Sequence, residues 1–190
     1  MLGVILSGGQ STRMGRDKGL MEFNGKKWSE IVRDKMVSLS IQTVISINSN
    51  QLVNYSKSFN RNDLVLDNPG LKIQGPLVGL LSAHIAYPQQ DILIVACDMI
   101  NIESIFIENL VDSYNKLSPE AIAFKGEYIE PLCAIYSSQG LKKILLLNNE
   151  GSLKRNSLIN VLENLMTVYL PIKTEWQSAF KNFNRKEDLD

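Results

Sequence analysis

A layered α/β domain built on a mainly parallel sheet is the fold class this chain predicts. Short continuous apolar runs alternate with stretches of helical periodicity. Polar, glycine-rich or acidic segments follow directly on the ends of those runs. The 190 residues, 44% of them hydrophobic, suffice to bury one real core.

The elements follow in chain order. Residues 3–7 (GVILS) are apolar in succession rather than in alternation, the pattern of a strand buried on both faces. Residues 8–15 leave it as a loop. Over residues 28–39, Trp28, Ile31, Val32, Met36 and Leu39 recur at helical spacing. Residues 43–47 form a second, β-branched strand that ends in the polar cluster 48–50. A helix is expected over 51–59, then a short strand over 64–66 that ends at Asp67. The loop 68–76 carries two glycines and two prolines. Pro76 suits the first turn of a helix over 77–87, and Pro88 closes it.

Residues 91–96 are the most hydrophobic strand, with Cys97 and Asp98 at its carboxyl end. A helix is expected over 102–117 and a strand over 121–124. After a turn at 125–127 comes a second strand over 128–136. Helices over 139–147 and 152–165 precede an extended 167–170, and the tail from residue 180 ends in a short helix. No repeat, low-complexity tract or linker is present, so residues 1–190 read as a single domain with a less regular C-terminal third.

Composition excludes several classes. Twenty basic and twenty acidic side chains cancel, which argues against a large nucleic-acid-binding face. The apolar run at the N-terminus is five residues long and lacks a basic flank, so it is no secretory signal. Later runs are strand-length and far short of a membrane span. The chain therefore reads as cytoplasmic, without nucleic-acid or membrane partners. Cys97 and Cys133 make no CxxC pair and read as buried free thiols. A single histidine, His84 in the 77–87 helix, argues against a Ser-His-Asp triad or a multi-histidine metal site and reads as structural.

The segment from Leu6 to Lys18 carries the strongest chemical signal. Ligands of open α/β sheets bind beyond the carboxyl ends of strands. Gly8 and Gly9, directly after a strand, let the backbone come close to a ligand and present successive N–H groups to phosphate oxygens. Arg13, Arg16 and Lys18 add charged donors suited to a triphosphate and its leaving pyrophosphate. The other phosphate motifs fail: no Lys-Ser or Lys-Thr pair follows the glycines, and the GxGxxG spacing is absent. The alternative is an ordinary glycine turn flanked by solvated cations. Asp98 is a second signal. Mg²⁺ takes few protein carboxylates and keeps its other positions for water and phosphate oxygens. One aspartate ending a buried strand meets that need; the alternative is a cap on the following helix.

Leu6-Ser7-Gly8-Gly9, with Arg13-Met14-Gly15 and Asp17-Lys18, resembles the signature of the molybdenum cofactor guanylyltransferases, written LAGGxSxRMGxDK. That family belongs to the glycosyltransferase-A-like nucleotidyltransferases. The continuation Gly19-Leu20-Met21-Glu22-Phe23-Asn24-Gly25-Lys26 also matches. Cys97-Asp98-Met99 resembles the family's C-D-M-P, with Ile100 in place of proline. Gly75-Pro76-Leu77-Val78-Gly79 resembles GPLxG, and Pro131-Leu132-Cys133-Ala134-Ile135-Tyr136 resembles P-L-x-A-x-Y. Gly151-Ser152-Leu153 resembles G-x-[SR]-L, with Lys154 and Arg155 beside it. Asn182 and Asn184 resemble a C-terminal N-x-N whose usual T-P is Arg185-Lys186 here.

The resemblance implies a three-layer αβα sandwich with a mostly parallel, Rossmann-like sheet. It implies catalytic roles for Arg13, Lys18 and Asp98, and nucleotide binding by Leu6, Ser7, Gly8, Gly9, Lys18, Asn48, Asp67, Gly75 and Asp98. Mg²⁺ would sit on Asp98, and Asn182 and Asn184 would face the acceptor. The implied reaction moves GMP from GTP to the phosphate of molybdenum-molybdopterin and expels pyrophosphate. GTP and a molybdopterin species are then ligands, with molybdoenzyme-assembly proteins as a further class of partner. Cytidylyl transfer to the same pterin, nucleotidyl transfer to another phosphate acceptor, and a non-catalytic nucleotide-binding assembly factor stay open.

Overall fold

The computed structural model describes residues 1–8 and 17–180. Its elements are β1 (Leu2–Leu6), β2 (Glu22–Phe23), β3 (Lys26–Lys27), α1 (Trp28–Ser38), β4 (Thr43–Ile47), α2 (Leu52–Tyr55) and β5 (Leu64–Leu66). Then come α3 (Pro76–Ala86), β6 (Ile92–Ala96), α4 (Ser104–Leu117), β7 (Ala121–Lys125), β8 (Ile129–Tyr136), α5 (Ser138–Asn149), α6 (Leu158–Glu163) and β9 (Thr167–Pro171).

Seven strands form one sheet in the order β5-β4-β1-β6-β8-β7-β9. All neighbouring pairs are parallel except those made by β8, which runs antiparallel to β6 and β7. The α/β expectation therefore holds. The parallel half β5-β4-β1-β6 brings four strand ends to one edge, and the loops carrying Gly8, Asn48, Asp67 and Asp98 leave from it.

The two-residue period of the strands sorts their side chains into two cores. Ile5, Ile45, Ile47, Leu93, Val95, Ile122 and Phe124 face α1 and α4, where Trp28, Val32, Met36, Phe106 and Leu110 meet them. Val4, Val44, Ile92, Ile94, Ala123 and Tyr136 face α3, α5 and α6, meeting Leu77, Leu80, Leu141 and Val161. Both faces of the sheet are covered, which is why β1, β4 and β6 are buried throughout and show no polar alternation. The result is a three-layer αβα sandwich.

Local chemistry shortens some expected elements. The helix expected over 51–59 reduces to a 3-10 turn, Ser49–Gln51, and the four residues of α2. Its chain then bends so that the Phe59 ring stacks on Tyr55, with centroids 5.7 Å apart. The helix expected over 152–165 begins only at Leu158, because the Ser157 hydroxyl accepts the Asn160 N–H and caps it there. The β2–β3 hairpin was not anticipated, although its turn residues Asn24 and Gly25 both take positive φ, 51° and 77°. An Asn-Gly pair is the strongest short hairpin signal. The short helix expected after residue 180 lies outside the described residues.

Close packing seats α3 on the sheet. A Cβ at Gly79 would stand 2.6 Å from Ser46 Oγ on β4 and 3.0 Å from Leu6 Cδ2 on β1. Gly79→Ala should therefore lower stability by about 1–2 kcal/mol, the overpacking cost outweighing the better helix propensity of alanine. Thermal denaturation checks this, since propensity alone would raise the melting temperature.

Candidate functional site

The loop after β1 and the loop after β6 meet at a charged contact. Lys18 Nζ donates to Asp98 Oδ2 at 2.9 Å across 80 residues of sequence, with side-chain exposures of 25% and 15%. Adjacent parallel strands place the two loops side by side: Leu6 is in register with Ala96, and the Cys97 N–H donates to the Leu6 carbonyl at 3.2 Å. Asp17 immediately precedes Lys18 and caps the 3-10 turn Lys18–Leu20, its Oδ1 accepting the Gly19 N–H at 3.1 Å.

The Asp98 loop is fastened from below. Met99 N–H returns to the Ala96 carbonyl at 3.1 Å, and the Ile102 N–H to the Met99 carbonyl at 3.1 Å. Lys35 of α1 donates its ammonium to the Ile100 carbonyl, and burial lowers its pKa from the usual lysine value. Met99, Ile100 and Ile102 are all buried, so isoleucine in place of proline anchors this loop through the apolar core.

Gly8, Asn48 and Asp67 converge on the other flank. A Cβ on Gly8 would lie 3.5 and 3.7 Å from the two Asp67 carboxylate oxygens and 3.9 Å from the Asn48 nitrogen. Asp67 is aligned by its N–H to the Ile47 carbonyl at 2.9 Å. Burial pushes its carboxyl up to about 6. Asn48 Oδ1 accepts the Asn50 N–H at 3.0 Å, so this side chain caps the turn after β4. Gly75 precedes α3 with φ 74° and ψ −159°, a conformation that favours glycine, and Pro76 opens the helix.

Leu6 and Ser7 are buried beneath this surface. Ser7 Oγ lies 3.1 Å from Ser29 Oγ, and the Ser7 N–H donates to the Ser46 carbonyl at 3.0 Å. They support the loop from within the sheet. Lys18, Gly8, Asn48, Asp67, Asp98, Leu6, Ser7 and Gly75 thus all sit at or under the carboxyl edge of the parallel strands or at the start of α3. Gly9, Arg13, Asn182 and Asn184 lie outside the described residues. His84 is buried on α3, where desolvation lowers its pKa, and both cysteines are buried free thiols.

The donor set can be tested for a divalent cation. Asp98 Oδ1 is buried with no hydrogen-bond partner among the described residues. It is a hard oxygen whose partner oxygen is already neutralised by Lys18, and it fits Mg²⁺ chemistry. The described residues hold no group of three or more His, Cys, Asp or Glu arranged for a metal, and Mg²⁺ characteristically takes few protein carboxylates beside water and phosphate oxygens.

Sequence analysis found the loop residues but missed Gln51. Its amide reaches the Ser7 carbonyl and the Asp17 carboxylate, and a polar residue three positions after a turn cap was the available signal. None of the helices among the described residues is long and apolar enough to cross a membrane.

Residues 3–165 match the family model of the MobA-like NTP transferase domain. The chain is 30% identical over 188 residues to a molybdenum cofactor guanylyltransferase of Vibrio parahaemolyticus, covering 98% of this chain and 91% of that one. It is 29% identical over 193 residues to a probable molybdenum cofactor guanylyltransferase of Pyrococcus horikoshii, covering 100% and 97%. Among solved structures, molybdopterin-guanine dinucleotide biosynthesis protein A of Archaeoglobus fulgidus superposes with a TM-score of 0.79 at 25% identity, covering 100% and 95%. Together with the edge on which Lys18 meets Asp98, these matches place the chain in the MobA-like NTP transferase family.

Proposed function

We propose that this protein is a Mg²⁺-dependent guanylyltransferase that moves GMP from GTP to the terminal phosphate of a molybdopterin species. The observation that carries this reading is the Lys18–Asp98 contact, which brings the glycine loop after β1 to the carboxylate after β6 at one strand edge. The names of the relatives supply the base and the acceptor.

An acceptor phosphate oxygen attacks the α-phosphorus of GTP, the new O–P bond forms in line, and the bond to the bridging oxygen of the β-phosphate breaks to release pyrophosphate. A phosphate monoester is already anionic near neutral pH, so the protein needs no general base. Its work is positioning and charge compensation. Gly8 admits the phosphates to close range, and Lys18 neutralises developing charge on the leaving group. Arg13 and the Gly9 amide belong to the same task by their place in the motif. Asp98 would hold Mg²⁺, which when bound withdraws charge from the phosphate oxygens. Asp67 and Asn48 would bind on the nucleoside side, and Asn182 and Asn184, by their place in the motif, would bind the acceptor.

Pyrophosphate release measured with a molybdopterin acceptor should be faster with GTP than with CTP. Lys18→Ala and Asp98→Ala should each lose about 10²-fold in turnover, the usual effect of removing one transition-state donor. Undiminished Mg²⁺-dependent turnover in Asp98→Ala would remove the basis of the assignment.

Asp67 adds a pH signature. Its folded-state value of about 6 stands above the ordinary 3.8, so the folded protein holds this proton more tightly than the unfolded chain. Between those values the unfolded chain has already released it, and stability falls as pH rises through the window and stays lower above it. Asp67→Asn should therefore gain stability relative to the parent as pH rises from about 4 to about 6. Melting temperatures of both proteins across that range provide the comparison; parallel curves would contradict the assignment.

A further inference from the structure

One side chain outside the recognised motifs ties both ends of the phosphate loop together. Gln51, at the end of the 3-10 turn after β4, donates through Nε2 to the Ser7 carbonyl at 2.9 Å and to Asp17 Oδ2 at 2.5 Å. Its Oε1 accepts the Asn48 N–H at 2.8 Å. Two of these neighbours are acceptors and one is a donor, so only one orientation of the carboxamide satisfies all three. Hydrophobic, hydroxyl or carboxylate side chains at this position cannot do so.

The clasp continues into the buried floor. Tyr55 OH donates to Asp17 Oδ1 at 2.9 Å, the same oxygen that accepts the Gly19 N–H. A Cβ on Gly19 would clash with the Tyr55 hydroxyl and stand 2.5 Å from Ser29 Oγ and 2.9 Å from Ser7 Oγ. Lys18 lies between Asp17 and Gly19, two residues whose positions are both set by this network. From there its ammonium reaches Asp98.

We infer that Gln51 is a positioning residue for nucleotidyl transfer, acting through Asp17 to fix where Lys18 stands relative to Asp98, and through Asn48 to register the β1 and β4 loops. The inference rests on the guanylyltransferase reading for its kinetic consequences. Its geometric consequences are independent of that reading.

Among the described residues, the Tyr55 hydroxyl on α2 and the Cys97 thiol at the end of β6 face Asp17. Burial holds Tyr55 far above its usual range and pushes Cys97 up to about 12, so both are neutral where the enzyme would be assayed. A carboxylate placed at position 51 would face two acceptors with no donor for either, and the clasp would be lost.

The test compares Gln51→Leu and Gln51→Glu with the parent in GTP-dependent pyrophosphate release using a molybdopterin acceptor. Gln51→Leu should lose about tenfold in kcat at every pH, with KM for GTP moving less than about twofold, because misplacing a charge-compensating group costs the transition state more than ground-state binding. Gln51→Glu, whose carboxylate offers no donor to either the Ser7 carbonyl or Asp17, should lose at least as much kcat as Gln51→Leu. Parent-like kcat in either variant would overturn the inference.

Amide hydrogen exchange gives a readout that needs no activity. In Gln51→Leu the Asn48 and Gly19 amides should lose protection while those of α4 keep theirs. An inactive parent with every nucleotide would defeat the functional reading alone. A Gly19 amide that stays protected in Gln51→Leu would defeat the positioning role alone.

Discussion

Two loops from neighbouring parallel strands are drawn together by one charged hydrogen bond, Lys18 to Asp98, and the rest of the site is arranged around it. The register of β1 against β6 places Leu6 beside Ala96, so each loop begins at the same height above the sheet. A lysine with a quarter of its side chain exposed can hold a carboxylate and still meet a phosphate. The contact works because the sheet has already brought the two chains within reach.

That constraint propagates outward through polar groups whose partners are specific. Asp17 serves Gly19, Tyr55 and Gln51 together, and Gln51 in turn serves Ser7 and Asn48. Few of these hydrogen bonds are worth much singly, but each shares an atom or a residue with the next, so they order as a unit. Lys35 plays the matching part under the Asp98 loop through the Ile100 carbonyl. A site that compensates moving phosphate charge gains more from groups already in place than from groups that must be recruited.

Much of this was readable in the residues. Continuous apolar strands with polar ends announced both the parallel sheet and the edge where chemistry would lie; Gly8, Lys18 and Asp98 stood out by their positions beyond strand ends, and Asp67 by the family resemblance. The short-range details were less legible. Ser157 acts as a cap through a side-chain hydrogen bond that competes with helix extension, and apolar periodicity does not register it. The hairpin at Asn24–Gly25 was overlooked because a long motif match absorbed its turn signal.

The sequence by itself determined the fold class, the family resemblance and the two groups most suited to a triphosphate, because buried strands and glycine turns impose residue types that can be recognised locally. Only the tertiary structure decided which distant residues share an atom. Strand order set Gly8 beside Asp67 and Lys18 beside Asp98, and the bend after β4 carried the Gln51 amide back to both ends of the loop. Such contacts depend on pairings between segments far apart in the chain, and no local pattern of residue types encodes a partner's identity.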